Sequence, residues 1–267
     1  MKKTILGILL CLSAALVFAG GSREKAAGDN SLAYIKDKGT LVLGLDDSFP
    51  PMGFRDDQGQ IVGFDIDLAK EVAKRMGVEL KLQPIDWDAK ILDLNSKDID
   101  VIWNGLTITD ERKEAIGFSV PYIANRQIVI VKAGSGIDTK KDLAGKTVGL
   151  QLGSSADEAV ASDAATAATL AEVVKYQDNV QALMDLAAGS IDAVVVDEIM
   201  GRYYIAKKPG VYQVATDFFA EEEYGVGFRK GEDAFIAEVD RILAEMSADG
   251  TAAEISRNWF GENVILF

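Results

Sequence analysis

The chain has 267 residues, 48% of them hydrophobic, and a formal net charge of −14. Such a length and apolar content exclude disorder and call for one large or two modest domains. The acidic balance excludes nucleic acid and anionic membrane surfaces as natural partners, since both need clustered positive charge.

There is no histidine, and the one cysteine is Cys11. His-dependent triads and imidazole metal ligands are therefore excluded. Removal of the segment around Cys11 would also eliminate disulfides, cysteine nucleophiles and zinc–thiolate sites. We expect no catalytic residue, no cofactor and no metal.

Residues 1–19 read as a secretory signal peptide: basic Lys2 and Lys3, an apolar run from Ile5 to Phe18, then small Ala19, Gly20 and Gly21. Cleavage is expected near Val17-Phe18-Ala19. The run is too short and too early for a membrane span. Leu10 precedes Cys11, where a lipoprotein signal needs a small residue, so lipid anchoring is disfavoured.

Residues 20–31 form a polar leader expected to be flexible. From Leu32 onward short apolar runs alternate with helical patterns. Strands are predicted at Thr40 to Leu45, Val78 to Leu82 and Val101 to Trp103, with helices over Asp65 to Met76 and Ala89 to Asn95. The first of these helices places Ile66, Ala69, Val72, Ala73 and Met76 on one face, and Gly77 stands where it should stop.

A second series follows, with strands at Gln127 to Lys132, Thr147 to Leu150, Val173 to Tyr176 and Ala193 to Val196. Helices are predicted over Ala156 to Ala168 and Asn179 to Ala188, then a strand at Tyr224 to Phe228 and a helix over Asp233 to Met246. The alternation points to an α/β fold with βαβ units around two largely parallel sheets.

Four polar segments leave strand ends, where ligands of open α/β sheets bind. The run from Asp46 to Phe54 is acidic and aromatic, and serves equally as a Pro-Gly turn. The run from Trp103 to Arg112 offers backbone groups, the Thr107 hydroxyl and a guanidinium suited to a carboxylate. Read alone, Arg112 equally balances Asp110 and Glu111.

Gln151-Leu152-Gly153-Ser154-Ser155 opens a helix, where free N–H groups suit an anion or where a simple N-cap belongs. Asp197 ends a strand and could hold an ammonium group or cap the next helix.

Together these segments carry a resemblance. Gly63-Phe64-Asp65-Ile66-Asp67-Leu68 with Val72, Ala73 and Met76, Leu106 through Arg112, Asp142 through Gly149, Gly189 through Ala193, and the tail from Gly250 to Gly261 resemble the family 3 extracellular solute-binding proteins. These are polar amino-acid receptors of ABC importers. The resemblance implies a type II periplasmic-binding-protein fold of two α/β lobes joined by two hinge strands. The lobes are expected at 32–122 with 226–267, and at 123–225, with crossovers near Tyr122 to Arg126 and Glu221 to Gly225.

It further implies a ligand α-carboxylate held by Arg112, Thr107 and amides near Gly105 and Ser155. The α-ammonium is expected on Asp197, aided by Gly105 and Thr107. Phe49 and Trp87 match the aromatic pair around the ligand side chain. Asp46 matches the reader of its far end, lined also by Asn104 and Gln151, and Ser154 completes the expected set.

The expected function is capture of a free L-amino acid in the periplasm by a monomer and its delivery to an inner-membrane ABC permease. A carboxylate without a balancing lysine favours arginine or lysine, then glutamine or histidine. The alternative on the same fold is a cyclohexadienyl dehydratase acting on prephenate or arogenate. A sensor module would carry a membrane span after the lobes, and none precedes Phe267.

Overall fold

The computed structural model describes residues 28–267. The expected signal peptide, Cys11 and leader residues 20–27 lie outside the described residues. From there the chain runs α1 (Ser31–Lys38), β1 (Thr40–Leu45), β2 (Ser48–Phe49), β3 (Gly53–Arg55), β4 (Ile61–Val62), α2 (Phe64–Met76) and β5 (Glu79–Pro84). A 3-10 turn at Trp87–Ala89 leads to α3 (Lys90–Asn95), β6 (Val101–Ile102), α4 (Asp110–Ala115), β7 (Ile116–Phe118) and β8 (Ile123–Lys132).

Then come β9 (Thr147–Gln151), α5 (Ser155–Ser162), α6 (Ala164–Ala167), β10 (Glu172–Tyr176), α7 (Asn179–Ala188) and β11 (Ala193–Asp197). The chain finishes with α8 (Glu198–Lys207), β12 (Tyr212–Tyr224), β13 (Gly227–Arg229), α9 (Asp233–Ala248) and α10 (Thr251–Phe260).

Two five-stranded sheets form, ordered β5-β1-β6-β13-β7 and β10-β9-β11-β8-β12. The fold is α/β, but each sheet is mixed rather than largely parallel. Strand β1 runs parallel to β5 and β6, while β13 runs antiparallel to β6 and β7. In the second sheet β9 is parallel to β10 and β11, and β8 lies antiparallel between β11 and β12. The antiparallel members are the segments by which the chain passes from one sheet to the other. At this passage Ile123 pairs with Tyr224, and the Tyr122 N–H donates to the Tyr224 carbonyl at 2.9 Å.

The expected strand from Tyr224 to Phe228 is therefore two strands, parted at Gly225 and Val226 where the chain changes sheet. The helix expected over Ala156 to Ala168 is also divided, because the Asp163 side chain accepts from the Thr166 N–H at 3.1 Å and starts a new turn. Ser31 belongs to α1 rather than to a leader. Asp29 accepts from the N–H groups of Ser31 and Ala234, so the start of the described chain is fastened to α9.

Helix α2 buries the predicted face, including Ile66, Ala69, Val72, Ala73 and Met76. Each large side chain so buried contributes about 1.5–3 kcal/mol relative to exposure. Its start explains the Gly63-Phe64-Asp65 sequence. A Cβ on Gly63 would lie 2.1 Å from the Met52 carbonyl oxygen, which instead accepts the Asp65 N–H at 3.0 Å.

Asp65 is fully buried, and accepts from the Gly105 N–H at 2.7 Å and the Tyr122 hydroxyl at 2.9 Å. Burial pushes its carboxyl up to about 7. Asp67 accepts from the Trp259 indole N–H at 2.9 Å, which ties α10 to α2. One acid of the motif thus fixes a site loop and the other fixes the C-terminal helix. No helix among the described residues is long and apolar enough to cross a membrane.

Candidate binding site

The carboxyl ends of parallel strands from both sheets converge on one cleft. Asp46 follows β1, Phe49 ends β2, Trp87 opens the turn after β5, and Asn104, Gly105 and Thr107 follow β6, with Arg112 on α4. From the second sheet come Gln151 at the end of β9, Ser154 and Ser155 at the start of α5, and Asp197 at the end of β11. All eleven line one small, largely enclosed cavity.

The open alternatives at these residues now separate. Arg112 does not pair with Asp110 or Glu111. Its Nη1 donates to the Thr107 carbonyl at 2.8 Å and its Nη2 to the Gly153 carbonyl at 3.3 Å. Among the described residues it forms no ion pair. Burial pulls its pKa down, opposed by Glu222, Glu158 and Asp197, yet a guanidinium stays charged at neutral pH. A buried cation on a cavity, held by carbonyl oxygens alone, has the chemistry to receive a carboxylate.

Asp197 stands before α8 but makes no side-chain cap. Its Oδ1 accepts from Tyr224 at 2.5 Å, Asn125 at 2.7 Å and Gln127 at 2.9 Å. Burial, reinforced by the neighbouring Glu222 charge, pushes its carboxyl up to about 7. Ser154 is a plain N-cap, accepting from the Asp157 N–H at 3.3 Å. The Ser155 hydroxyl instead meets Thr107 Oγ1 at 3.0 Å across the cleft.

The other polar group is built around Asp46. Its carboxylate accepts from the Ser48 hydroxyl at 2.6 Å and from Gln151 Nε2 at 2.7 Å. Burial raises its pKa, opposed by these bonds. Asn104 Oδ1 accepts the Asp46 N–H at 3.2 Å, and Asn179 donates to Gln151 Oε1 at 3.0 Å.

Lys90, absent from the sequence reading, is buried beside Trp87, 5.0 Å above its ring. It donates across the cleft to the Gly153 carbonyl at 2.8 Å. Burial and the Arg112 charge lower its pKa to about 7. Asn125, Gln127, Glu222 and Tyr224 were missed as well. Their signal is the alternation of polar residues along the crossover strands, which puts positions two apart on one face.

Two α/β halves that exchange strands and shut a polar cavity between them define a small-molecule-binding protein of the type II periplasmic class. The sequence pattern of the bacterial extracellular solute-binding proteins, family 3, matches residues 41–262, and the chain belongs to that family. It is 37% identical over 268 residues to the L-cystine-binding protein TcyJ of Escherichia coli (strain K12), with 99% of both chains covered.

Among solved structures it resembles Tv2483 bound to L-arginine, with a TM-score of 0.86 and 32% identity over 90% of this chain and 98% of the other. It also resembles an ABC uptake transporter substrate binding protein of Streptococcus pneumoniae with bound histidine. There the TM-score is 0.84 and the identity 37%, covering 90% and 99%. The chain is accordingly an amino-acid-binding protein of ABC transport, and its family implies an amino-acid ligand and a permease partner.

Proposed function

We propose that the chain captures a cationic L-amino acid, arginine or lysine, in the periplasm and hands it as a monomer to an inner-membrane ABC permease. The observation that carries the ligand reading is the cavity lining. It holds a cation, Arg112, near Asp197, while its other polar group offers the Asp46 carboxylate, with no lysine and no arginine besides Arg112 among the lining residues.

In this reading the α-carboxylate pairs with Arg112, assisted by Thr107 and the amides near Gly105 and Ser155. The α-ammonium sits on Asp197, Phe49 and Trp87 flank the side chain, and Asp46 with Asn104 and Gln151 meets its charged end. The lobes are 32–122 with 226–267, and 123–225. The crossover strands act as the hinge, and a ligand touching both lobes stabilises the closed form alone.

L-cystine is the second reading, favoured by the full-length likeness to a protein named for cystine. Its far end carries a carboxylate as well as an ammonium group, and no second basic residue lines the cavity to receive it.

The test is calorimetric titration of the refolded mature chain with L-arginine, L-lysine, L-histidine, L-glutamine and L-cystine, alongside a spectrophotometric assay with prephenate and arogenate. Tightest binding of arginine or lysine is expected. Tightest binding of cystine would overturn the ligand reading and leave the receptor; dehydration of prephenate with no amino acid bound would make the chain a cyclohexadienyl dehydratase.

A further inference from the structure

Strand β12 contains three consecutive glutamates, Glu221 to Glu223. Its two-residue alternation leaves Glu221 and Glu223 exposed and turns Glu222 inward with buried Tyr224. One oxygen of Glu222, Oε2, gathers four donors. Gln127 Nε2 lies at 2.9 Å, Thr107 Oγ1 at 3.0 Å, Asn125 Nδ2 at 3.1 Å and Ser155 Oγ at 3.3 Å. The two hydroxyls come from opposite sides of the cleft, and the two amides from the crossover strand β8.

The amides of Asn125 and Gln127 also donate to Asp197 Oδ1, so each bridges two carboxylates, and Gln127 Nε2 shares its hydrogens with Ser155 Oγ at 3.1 Å, which accepts through one lone pair. A hydroxyl has one hydrogen and two lone pairs. When the Thr107 and Ser155 protons point at Glu222, or one at the other and thence to Glu222, both hydroxyls have only lone pairs to offer the cavity they line. Lone pairs accept from an ammonium group and repel a carboxylate.

We infer that Glu222 is a positioning residue for the ligand's α-ammonium group: it orients the Thr107 and Ser155 hydroxyls as acceptors and adds a second negative charge beside Asp197. This rests on the amino-acid reading above and divides the labour of the site further. The ligand carboxylate is left to Arg112 and backbone N–H groups, and the hydroxyls belong to the amino end alone.

The charged and titratable groups around the pair are Arg112 on α4, Glu158 on α5 and Tyr224 on β12, with Lys113, Arg126, Glu198, Glu221 and Glu223 lining the open pocket on the outer side of Glu222. Lys113 pairs with Asp110 and Arg126 with Glu198, and among the described residues neither Asp197 nor Glu222 is in an ion pair. The raised Asp197 carboxyl fits this crowding, since burial and Glu222 favour its protonated form. An arriving ammonium group restores its ionisation and releases a proton.

The experiment titrates wild type and Glu222→Gln by calorimetry, in two buffers of different ionisation heat, from about pH 6 to about pH 8. Each amino acid is paired with its deamino counterpart: L-arginine with guanidinovalerate, and L-cystine with dithiodipropionate. Wild type should release part of a proton near neutral pH and bind more tightly as pH rises. Glu222→Gln should bind the amino acid about tenfold to a hundredfold more weakly, with less proton release and a flatter pH profile.

Its affinity for the deamino compound should change far less. Thr107→Val controls for folding and coupling: its effect and that of Glu222→Gln should be less than additive, since both break one array. An unchanged affinity and pH profile in Glu222→Gln, or equal weakening of both compounds, would overturn the inference. Failure of wild type to bind any amino acid would instead overturn the reading beneath it.

Discussion

The Gln151 side-chain amide donates to the Asp46 carboxylate at 2.7 Å, joining the end of β9 to the end of β1 across the cleft. Asn179 holds the Gln151 carbonyl, so the amide hydrogens must face Asp46. The bond neutralises no charge, so the Asp46 carboxyl is left to meet a cationic side chain. Asp46→Asn should weaken L-arginine binding about tenfold or more while changing L-glutamine little. Parallel titrations give the ratio, and equal losses for both ligands would remove Asp46 from specificity.

Arg112 has carbonyl partners on both sides of the cleft and no carboxylate within ion-pair distance among the described residues. Arg112→Ala should cost about 3 kcal/mol of binding, more than a hundredfold in Kd, by removing a charge-assisted pair in a desolvated site. Arg112→Lys should recover little, since an ammonium cannot match the planar fork. Calorimetry that finds wild-type affinity in Arg112→Ala would dismiss the carboxylate assignment.

Gly153 adopts φ of +70°, and a Cβ there would lie 3.0 Å from Asp88 Cα on the other side of the cleft. Its carbonyl accepts from both Lys90 and Arg112. Gly153→Ala should destabilise the chain by about 1–2 kcal/mol through its backbone conformation. It should also weaken every ligand by a similar factor, because the Asp88 contact opposes closure rather than any one side chain. A selective loss would show that the residue acts on the ligand directly.

Stability should pass through a minimum near neutral pH in the ligand-free chain. Asp65 and Asp197 are raised from 3.8 to about 7 by burial, so between about pH 4 and pH 7 the folded state holds protons that the unfolded chain has lost, and stability falls as pH rises. Lys90 is lowered from 10.5 to about 7, so above about pH 7 the unfolded chain binds the extra proton and stability rises again. Scanning calorimetry should find a lower melting temperature at about pH 7 than at about pH 5 or pH 9. Asp65→Asn should shrink the acid-side difference, and a midpoint that climbs steadily from acid to neutral would contradict the scheme.

Much of this was legible before the structure, for physical reasons. Strand β1, α2 and α7 carry unbroken hydrophobic periods, and the structure has them within a residue of the predicted ends. The eleven expected site residues come together in one cavity because each leaves the carboxyl end of a strand or opens the next helix. Helix α8, by contrast, has charged and aromatic residues mixed around it and shows no apolar face. The Ala-rich run to Ala168 hides the break at Asp163, since alanine propagates a helix until a side chain competes for the backbone.

Glu222 was hidden for a different reason. Three adjacent glutamates look like solvated surface, and only the alternation of a strand shows that the middle one faces inward beside Asp197. Asn125 and Gln127 obey the same alternation on β8. Polar residues two apart on a crossover strand are a signal that hydrophobic patterning does not register.

The placement of β13 sets an order on folding. Gly227 pairs with Ile102 on one side and Phe118 on the other, so a strand from near the end of the chain fills the gap between two strands from its first half. The second sheet draws all its strands from one stretch, Ile123 to Tyr224, and can complete itself. The first cannot, and until residues 227–229 arrive β6 and β7 present bare edges to each other. A chain emerging from its amino terminus therefore finishes its later half first, and the half that began the synthesis is the last to close.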